Sequence, residues 1–278
     1  MASEDVRTAV REHYASIVRD GGGCCGSTPK SVGCCGGAAA ETELSRMIGY
    51  SEQELGAVPD GSNLGLGCGN PLAHAALKEG DVVVDLGSGA GFDCFLAARR
   101  VGPAGRVIGV DMTPEMLDRA RANAAADGYA NVEFRLGEIE NLPVADGAAD
   151  MVISNCVINL STDKPRVFRE ALRVLKPGGR LMVSDLALAK PLPESVRRSV
   201  EAYAGCIAGA MLKDDYLAAI RDAGFAEVEV AAETVYPIGS SSPDASEVAV
   251  LQADGIPPED LRAAAESVIS IKVSARKP

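Results

Sequence analysis

Between residues 80 and 185, short apolar runs alternate with segments of helical periodicity. The runs predict five strands: VVVDL (82–86), RVIGVD (106–111), VEFRLG (132–137), DMVISN (150–155) and GRLMVSD (179–185). Helices are predicted between them: FDCFLAARRV (92–101), Thr113 and Pro114 to about Ala126, and about Lys164 to Leu175. Strands that alternate with helices form a parallel sheet with both faces covered. We therefore expect an α/β fold with a mostly parallel sheet.

Two segments of different character open the chain. Residues 1–20 carry apolar side chains at helical spacing, which predicts an amphipathic N-terminal helix. Residues 21–40 hold seven glycines, four cysteines and one aliphatic side chain larger than alanine. So little apolar surface does not offset the entropy lost on ordering the backbone. We expect a flexible, glycine- and cysteine-rich segment there.

The stretch 41–79 leads into the alternating region. Ser51 and Glu54 have the spacing of a capping box, which predicts a short helix that ends before Pro59. Further along, GLGCGNP places Cys68 in a glycine-rich loop. We therefore expect lead-in helices followed by a loop that presents this cysteine.

The core domain is expected over 80–190, and a small α+β extension over 191–278. The extension is predicted to contain two helices, at about 194–209 and 213–223, and two antiparallel edge strands, AEVEVA (226–231) and VISIKVSA (268–275). The first of these helices carries Cys206.

The net charge of −12 argues against a nucleic-acid surface, because basic residues outnumber acidic ones where phosphates dock. No stretch approaches the roughly 18 consecutive apolar residues that a membrane span needs. The first residues, MASEDVRTAVREHY, are charged where a signal peptide is apolar. We expect a cytoplasmic protein with neither nucleic acid nor membrane as a partner.

Cysteine is abundant for a cytoplasmic chain. In that compartment thiols serve as ligands or redox groups more often than as structural disulfides. The eight positions are Cys24, Cys25, Cys34, Cys35, Cys68, Cys94, Cys156 and Cys206. Cys94 falls inside an amphipathic helix, where a cysteine usually acts as a small buried hydrophobe.

The first predicted strand runs into a glycine loop, VVVDLGSGAGF. Such a turn lets a ligand approach backbone N–H groups at a helix N-terminus. The carboxylate of Asp85 precedes the loop and would repel a pyrophosphate, so a cationic ligand fits better. S-adenosylmethionine carries an ammonium and a sulfonium and no phosphate. Asp111 would then accept the ribose hydroxyls, and Met112 would pack on the adenine; the alternative is an ordinary α/β turn with surface acids.

The motifs DLGSGAG, GVDMTPEML, GEIENLPV and LKPGGRL resemble, in this order, the class I S-adenosylmethionine-dependent methyltransferases, over about residues 80–185. The resemblance implies a Rossmann-like sheet that binds this cofactor. It also implies that Glu138 and Ile139 lie near the adenine and Asn155 near the methionine portion. The cofactor-binding set is then Asp85, Gly87, Ser88, Gly89, Gly91, Asp111, Met112, Glu138, Ile139 and Asn155.

Methyl transfer needs a nucleophile with a lone pair, held beyond the carboxyl ends of the strands. Cys156 follows the fourth strand directly, and Cys68 and Cys206 lie in segments that could face the same place. Each is also explained as a small buried side chain. Three converging thiolates favour a soft acceptor, and trivalent arsenic bound by three sulfurs keeps its lone pair. Zinc prefers a fourth ligand and offers no lone pair.

The segments NLGLGCGNP, DLGSGAGFDC, SNCVINL and the glycine-flanked Cys206 resemble the arsenite S-adenosylmethionine methyltransferases, over about residues 61–210. The resemblance implies that Cys68, Cys156 and Cys206 bind As(III), whose lone pair attacks the methyl carbon. It implies a detoxification enzyme for arsenite or methylarsenite. The methylated, formally pentavalent arsenic would be reduced by protein thiols that form a disulfide, and thioredoxin or glutathione would restore the enzyme.

The same resemblance implies one further essential cysteine near the N-terminus, which pairs with Cys68. Cys34 and Cys35 are the candidates, and Cys24 and Cys25 would capture arsenite or be incidental thiols of a disordered tail. Adjacent cysteines do not easily ligate one zinc ion as a C-x-x-C pair does.

Two other functions fit the same motifs. One is a class I methyltransferase that acts on a carbon or oxygen of a small organic molecule, because the cofactor half is shared by many enzymes. The other is a thiol-based arsenite- or mercury-binding protein whose cofactor site is vestigial.

Overall fold

Seven strands form one sheet in a computed structural model of the chain, which describes residues 3–19, 37–236 and 256–278. The strands are β1 (Val82–Leu86), β2 (Arg106–Asp111), β3 (Val132–Leu136), β4 (Ala149–Asn155), β5 (Leu175–Leu188), β6 (Ala226–Val235) and β7 (Val268–Arg276). Their order across the sheet is β3-β2-β1-β4-β5-β7-β6. Strands β1 to β5 pair in parallel, which confirms the expected Rossmann-like sheet.

The helices of the described residues cover both faces of this sheet. They are α1 (Ser3–Arg19), α2 (Gly37–Met47), α3 (Glu52–Leu55), α4 (Phe92–Val101), α5 (Pro114–Ala126), α6 (Lys164–Val174), α7 (Glu194–Arg197), α8 (Val200–Ala204), α9 (Lys213–Asp222) and α10 (Pro258–Ala265). Short 3₁₀ helices lie at Pro71–Ala73 and Ile158–Leu160. None of these helices is both long and apolar enough to cross a lipid bilayer.

The predicted strand–loop–helix elements of the core agree closely with the structure. Strands β1 and β2 and helix α4 have the expected bounds, and α5 begins at Pro114 after Thr113. Helix α3 has the predicted capping box, in which Ser51 and Glu54 each accept a backbone N–H of the other. These features depend on residues close together in the chain, which is why the sequence predicts them well.

The end of the sheet differs from the expectation of two antiparallel edge strands. Strand β7 is inserted between β5 and β6 and runs antiparallel to both. Strand β6 therefore forms the edge, and β7 alone reverses direction. Residues 268–273 are buried throughout because neighbours flank β7 on both sides.

The predicted helix over 194–209 is wrong. The structure has the two short helices α7 and α8, and Cys206 lies in the turn after α8. There the N–H of Cys206 donates to Tyr203 O and that of Ile207 to Ala202 O, which is the Schellman pattern. Cys206 occupies the left-handed position with φ 63°, where glycine is usual, so sequence patterns do not show this helix end.

Buried apolar side chains of the described residues form three clusters. One packs α6 and α9 against one face of the sheet through side chains such as Phe168 and Tyr216. A second packs α4 and α5 against the other face, with Phe95 and Phe134 in edge-to-face contact. The third joins α1, α8 and the end of the sheet, and it contains Cys68 and Cys206. The candidate site is therefore built where the third cluster meets the carboxyl ends of the strands.

Candidate functional site

A cavity lies beyond the carboxyl ends of β1 and β4, two central strands that pair in parallel. The connections that leave these strands run to opposite sides of the sheet, and this switch point is where open α/β sheets bind ligands. Eight of the ten predicted cofactor residues line the cavity: Asp85, Gly87, Ser88, Gly89, Asp111, Met112, Ile139 and Asn155.

The glycine loop after β1 is held by close packing and by hydrogen bonds. Gly87 has φ 68°, and a Cβ there would lie 2.4 Å from Val157 Cγ2, so a side chain does not fit. The N–H of Gly89 donates to Asp111 Oδ2 over 2.9 Å. The buried Ser88 Oγ has no hydrogen-bond partner and packs over β2, where a Cβ at Gly109 would lie 2.7 Å from it. The loop is thus held tightly against β2 and against Val157.

Four buried carboxyl groups line the cavity, those of Asp85, Asp93, Asp111 and Glu140. Burial raises the pKa of Asp85 well above its ordinary value, and the charge of Asp93 raises it further. Burial also raises the pKa of Asp93 to about 6. Carboxylates in a dry pocket are stabilised by an opposite charge or by hydroxyl donors. The cavity therefore fits a ligand with a cationic group and sugar hydroxyls.

Gly91 and Glu138 lie outside the cavity lining. Gly91 packs against the helix and sheet, where a Cβ would lie 2.7 Å from the ring of Phe95. The Glu138 side chain is 48% exposed and its carboxylate lies 3.8 Å from Arg7. Glu140, which the sequence did not indicate, lines the cavity and accepts a hydrogen bond from Ser161 over 2.6 Å.

Two of the three predicted thiols, those of Cys156 and Cys206, line this cavity. Cys68 is not among the lining residues, but its Sγ lies within 4.8 Å of that of Cys156. Cys156 directly follows β4 with φ 56° and donates its N–H to Ser184 O. Its thiol contacts the thiols of both Cys68 and Cys206. Cys206 Sγ also lies 3.0 Å from the Cys156 carbonyl oxygen. Cys156 and Cys206 have left-handed backbone conformations, which are uncommon for residues other than glycine.

The glycines around Cys68 allow its loop to approach the sheet. A Cβ at Gly67 would lie 3.0 Å from Asn155 Nδ2, and one at Gly69 would lie 2.1 Å from Ser184 Oγ. The N–H of Cys68 donates to Asn155 Oδ1 over 3.2 Å. The motif GLGCGN is thus explained by close contact of its backbone with β4 and β5, which leaves Cys68 1% exposed.

Burial sets the protonation of the thiols. It raises the pKa of the Cys68 thiol, and contacts with Cys206 and Cys68 together with burial raise the pKa of Cys156. Both groups are therefore thiols rather than thiolates at neutral pH when no ligand is present. A thiophilic ligand that binds here must displace their protons.

Asp185, near the thiols, is a residue that sequence reasoning missed. One of its carboxyl oxygens and the Sγ atoms of Cys68 and Cys156 all lie within 4.8 Å of one another. The carboxyl group accepts hydrogen bonds from the Tyr216 hydroxyl over 3.0 Å and from Asn159 Nδ2 over 2.9 Å. Asp185 is the last residue of the predicted strand 179–185, as Asp111 is of the predicted strand 106–111, and this position is a signal that could have identified it.

Burial raises the pKa of Asp185 to about 7. The folded chain therefore holds this proton more tightly than the unfolded chain, and stability falls as the pH rises from about 4 through 7. We expect Asp185→Asn to lose less of its free energy of unfolding than the wild type between about pH 5 and about pH 8. Urea unfolding at the two pH values measures this difference. An equal loss in both proteins would contradict the assignment.

Helix α1 closes the cavity from outside the sheet. Arg7, Val10 and Tyr14 line it, and the Tyr14 hydroxyl lies 4.0 Å from Cys206 Sγ and donates to Ala204 O. Periodicity predicted the helix but not its docking position, because the contacts of Tyr14 span about 190 residues of sequence.

The remaining cysteines fall into two groups. Cys24, Cys25, Cys34 and Cys35 lie outside the described residues. Cys94 is buried as expected, and its thiol also donates to Asp85 Oδ2 over 3.2 Å. All four described cysteines are free thiols: Cys68, Cys94, Cys156 and Cys206.

Comparisons with known proteins agree with this geometry. Residues 77–224 match a methyltransferase domain family. The chain is 52% identical over 234 residues to the arsenite methyltransferase of Halobacterium salinarum, covering 82% of this chain and 59% of the relative. It is 39% identical over 228 residues to that of Aquipseudomonas alcaligenes, covering 79% and 62%. The chain thus spans about three fifths of the length of these curated relatives.

A solved structure shows the same relationship. The arsenic (III) S-adenosylmethionine methyltransferase of Chlamydomonas reinhardtii superposes with a TM-score of 0.63 at 33% identity, over 83% of this chain and 72% of that one. The chain belongs to the arsenite methyltransferase family and carries a class I methyltransferase domain.

Proposed function

We propose that this chain is an arsenite methyltransferase that transfers methyl groups from S-adenosylmethionine to trivalent arsenic held by three cysteine thiolates. The observation that carries the proposal is the contact of the Cys156 thiol with those of Cys68 and Cys206, because Cys156 and Cys206 also line the cavity that holds the buried carboxyl groups. The proposed arsenic site, with its soft sulfur ligands, therefore lies next to the proposed site for a cationic cofactor.

The donor groups of the cavity fit S-adenosylmethionine. Asp85 and Asp93 both suit its ammonium group, and Asp111 keeps lone pairs for ribose hydroxyls beside the two backbone N–H groups that it accepts. Met112 and Ile139 supply apolar surface for the adenine. When bound, the cofactor supplies an electrophilic methyl group on a sulfonium. The protein's own contribution is to orient the reactants and exclude water.

The thiol cluster fits trivalent arsenic. Arsenite loses its hydroxide groups as water when three thiols bind, so the thiol protons leave with the oxygen atoms. Three sulfur ligands leave the arsenic lone pair unshared, which is the nucleophile that methyl transfer requires. Cys156 is central because its thiol contacts the other two.

The proposed cycle ends with a redox step. Methylated, formally pentavalent arsenic would be reduced to trivalent arsenic by two thiols that form a disulfide, and thioredoxin or glutathione would reduce that disulfide. Cys68 and one of Cys34 or Cys35 are the proposed pair. Detoxification of arsenite or methylarsenite is the proposed physiological role.

A product assay tests the proposal directly. The purified chain is incubated with arsenite, S-adenosylmethionine and a thiol reductant, and the arsenic species are separated by chromatography. We expect methylated arsenic and S-adenosylhomocysteine in matched amounts. Arsenite binding without any S-adenosylhomocysteine would instead indicate a thiol-based binding protein. Turnover of a small organic acceptor that survives loss of Cys156 would indicate another class I methyltransferase.

A further inference from the structure

The side chain of Asn155 touches both halves of the candidate site. Its Oδ1 accepts the N–H of Cys68 over 3.2 Å, and its Nδ2 donates to Gly69 O over 2.8 Å. The amide therefore holds the peptide group that precedes Cys68 and the one that follows Gly69. On the cavity side, Nδ2 lies 3.0 Å from Asp93 Oδ2 and 3.0 Å from the Tyr50 hydroxyl oxygen.

The amide of Asn155 has fewer protons than partners. Its Nδ2 carries two hydrogens, whereas three acceptors lie within hydrogen-bond distance: Gly69 O, the Tyr50 oxygen and Asp93 Oδ2. The Tyr50 hydroxyl itself donates to Asp93 Oδ1 over 2.7 Å. Asp93 and the Cys68 loop therefore compete for the same two protons. The orientation of the amide is fixed, because the Cys68 N–H needs an acceptor and the Gly69 carbonyl a donor.

The charge on Asp93 decides this competition. Asp93 is buried beside Asp85, and hydrogen bonds from Tyr50 and Asn155 stabilise its carboxylate. A charged acceptor attracts an N–H more strongly than a carbonyl does. A cation that binds beside Asp93 weakens the attraction of its carboxylate for the Asn155 N–H groups. Asn155 Nδ2 then donates its two protons to Gly69 O and to the Tyr50 oxygen.

We infer that Asn155 is a positioning residue that couples the two sites: a cationic cofactor end beside Asp93 strengthens the hold of Asn155 on the Cys68 loop and thereby tightens arsenite binding. The inference rests on the proposed function. Coupling of this kind is reciprocal, so arsenite also tightens cofactor binding by the same factor. The enzyme then fills both sites together rather than independently.

Calorimetric titration measures the coupling. Arsenite is titrated into the chain with and without saturating S-adenosylhomocysteine, which carries the ammonium group but no transferable methyl group. We expect the dissociation constant for arsenite to fall about tenfold in the wild type when S-adenosylhomocysteine is present. The coupling ratio is the dissociation constant for arsenite without S-adenosylhomocysteine divided by that with it. This ratio should fall to about 1 in Asn155→Ala. It should also fall to about 1 in Asp93→Asn, which removes the charge but keeps Asn155. A ratio that stays at the wild-type value in both variants overturns the inference, as does a ratio of 1 in the wild type.

Asn131→Ala is the matched control. Asn131 Nδ2 donates to Ala98 O and Gly102 O at the far end of α4, away from the cavity. This variant loses an asparagine with two backbone partners, as Asn155→Ala does, so it reports the structural cost alone. It should keep the wild-type coupling ratio.

Amide hydrogen exchange gives a second readout that needs no arsenite. The Cys68 N–H is the proton that Asn155 accepts, so S-adenosylhomocysteine should slow its exchange several-fold in the wild type and leave it unchanged in Asn155→Ala. Leu66, which lines the cavity, should be slowed in both and shows that the ligand is bound. Equal slowing at Cys68 in both proteins overturns the inference. A wild type that binds no arsenite overturns the proposed function, and the exchange measurement then decides the coupling alone.

Discussion

Replacing Cys156 by serine is expected to lower the rate of arsenite methylation by more than about 100-fold, because it removes the sulfur that contacts both other thiols. A serine hydroxyl is a hard, weakly acidic ligand and does not replace a thiolate on a soft acceptor. The side chain is similar in size and the left-handed backbone at φ 56° is equally strained for both residues, so the fold should persist. Methylated arsenic per unit time is the measurement.

Two further measurements make this prediction specific. The affinity of Cys156→Ser for S-adenosylhomocysteine should remain within a few-fold of the wild type, because the buried carboxyl groups of the cavity are unchanged. Cys94→Ser is a matched control that removes a buried thiol outside the cluster and keeps a donor for Asp85; it should bind arsenite as the wild type does. Undiminished methylation by Cys156→Ser would refute the three-thiol site.

The parts of the fold that depend on neighbouring residues were predictable. Strand β1, the glycine loop and α4 follow from a valine-rich run, glycines and helical periodicity within residues 82–101. The end of α8 could not be predicted, because Cys206 adopts a left-handed conformation that usually requires glycine. The insertion of β7 between β5 and β6 could not be predicted either, since strand order depends on contacts between distant segments.

Some residues of the candidate site could likewise be predicted from the sequence and others could not. Asp85, Asp111 and Cys156 were predicted because each ends or directly follows a strand, and the carboxyl ends of parallel strands share one edge. Asp93 was missed because it lies inside α4, and its burial and its hydrogen bond from Tyr50, which the sequence does not show, make it part of the site. Asp185 was missed although it ends a predicted strand, because the contacts that place it beside the thiols come from distant segments. The docking of α1 over the cavity is a packing result that periodicity does not specify.

Without a ligand, the residues of the cavity lower the free energy of unfolding of the chain. Carboxyl groups with raised pKa values destabilise the folded chain at neutral pH, since the unfolded chain ionises them freely. The left-handed cysteines add backbone strain. Such features persist where function requires them, and ligand binding offsets their cost. Substitutions that remove this cost should therefore stabilise the chain and weaken binding.

Asp85→Asn tests whether stability and ligand binding change in opposite directions. We expect the affinity for S-adenosylhomocysteine to fall about 100-fold, which corresponds to about 3 kcal/mol, because the variant loses the proposed charge-assisted contact between the buried carboxylate and the ammonium. The folded-state pKa of Asp85 is raised, so its cost to stability is absent at low pH and grows as the pH rises above about 4. The variant should therefore be more stable than the wild type at about pH 8 and similar to it near pH 4.

Calorimetry with S-adenosylhomocysteine and urea unfolding at the two pH values measure both effects on the same samples. Asp127→Asn, at the exposed C-terminal end of α5, removes one carboxylate outside the cavity and should change neither quantity. Weaker binding together with lower stability at high pH would mean that Asp85 is a structural residue whose loss damages the fold. Weaker binding together with higher stability is explained only if the buried carboxylate is kept for its ligand, at the expense of the fold that holds it.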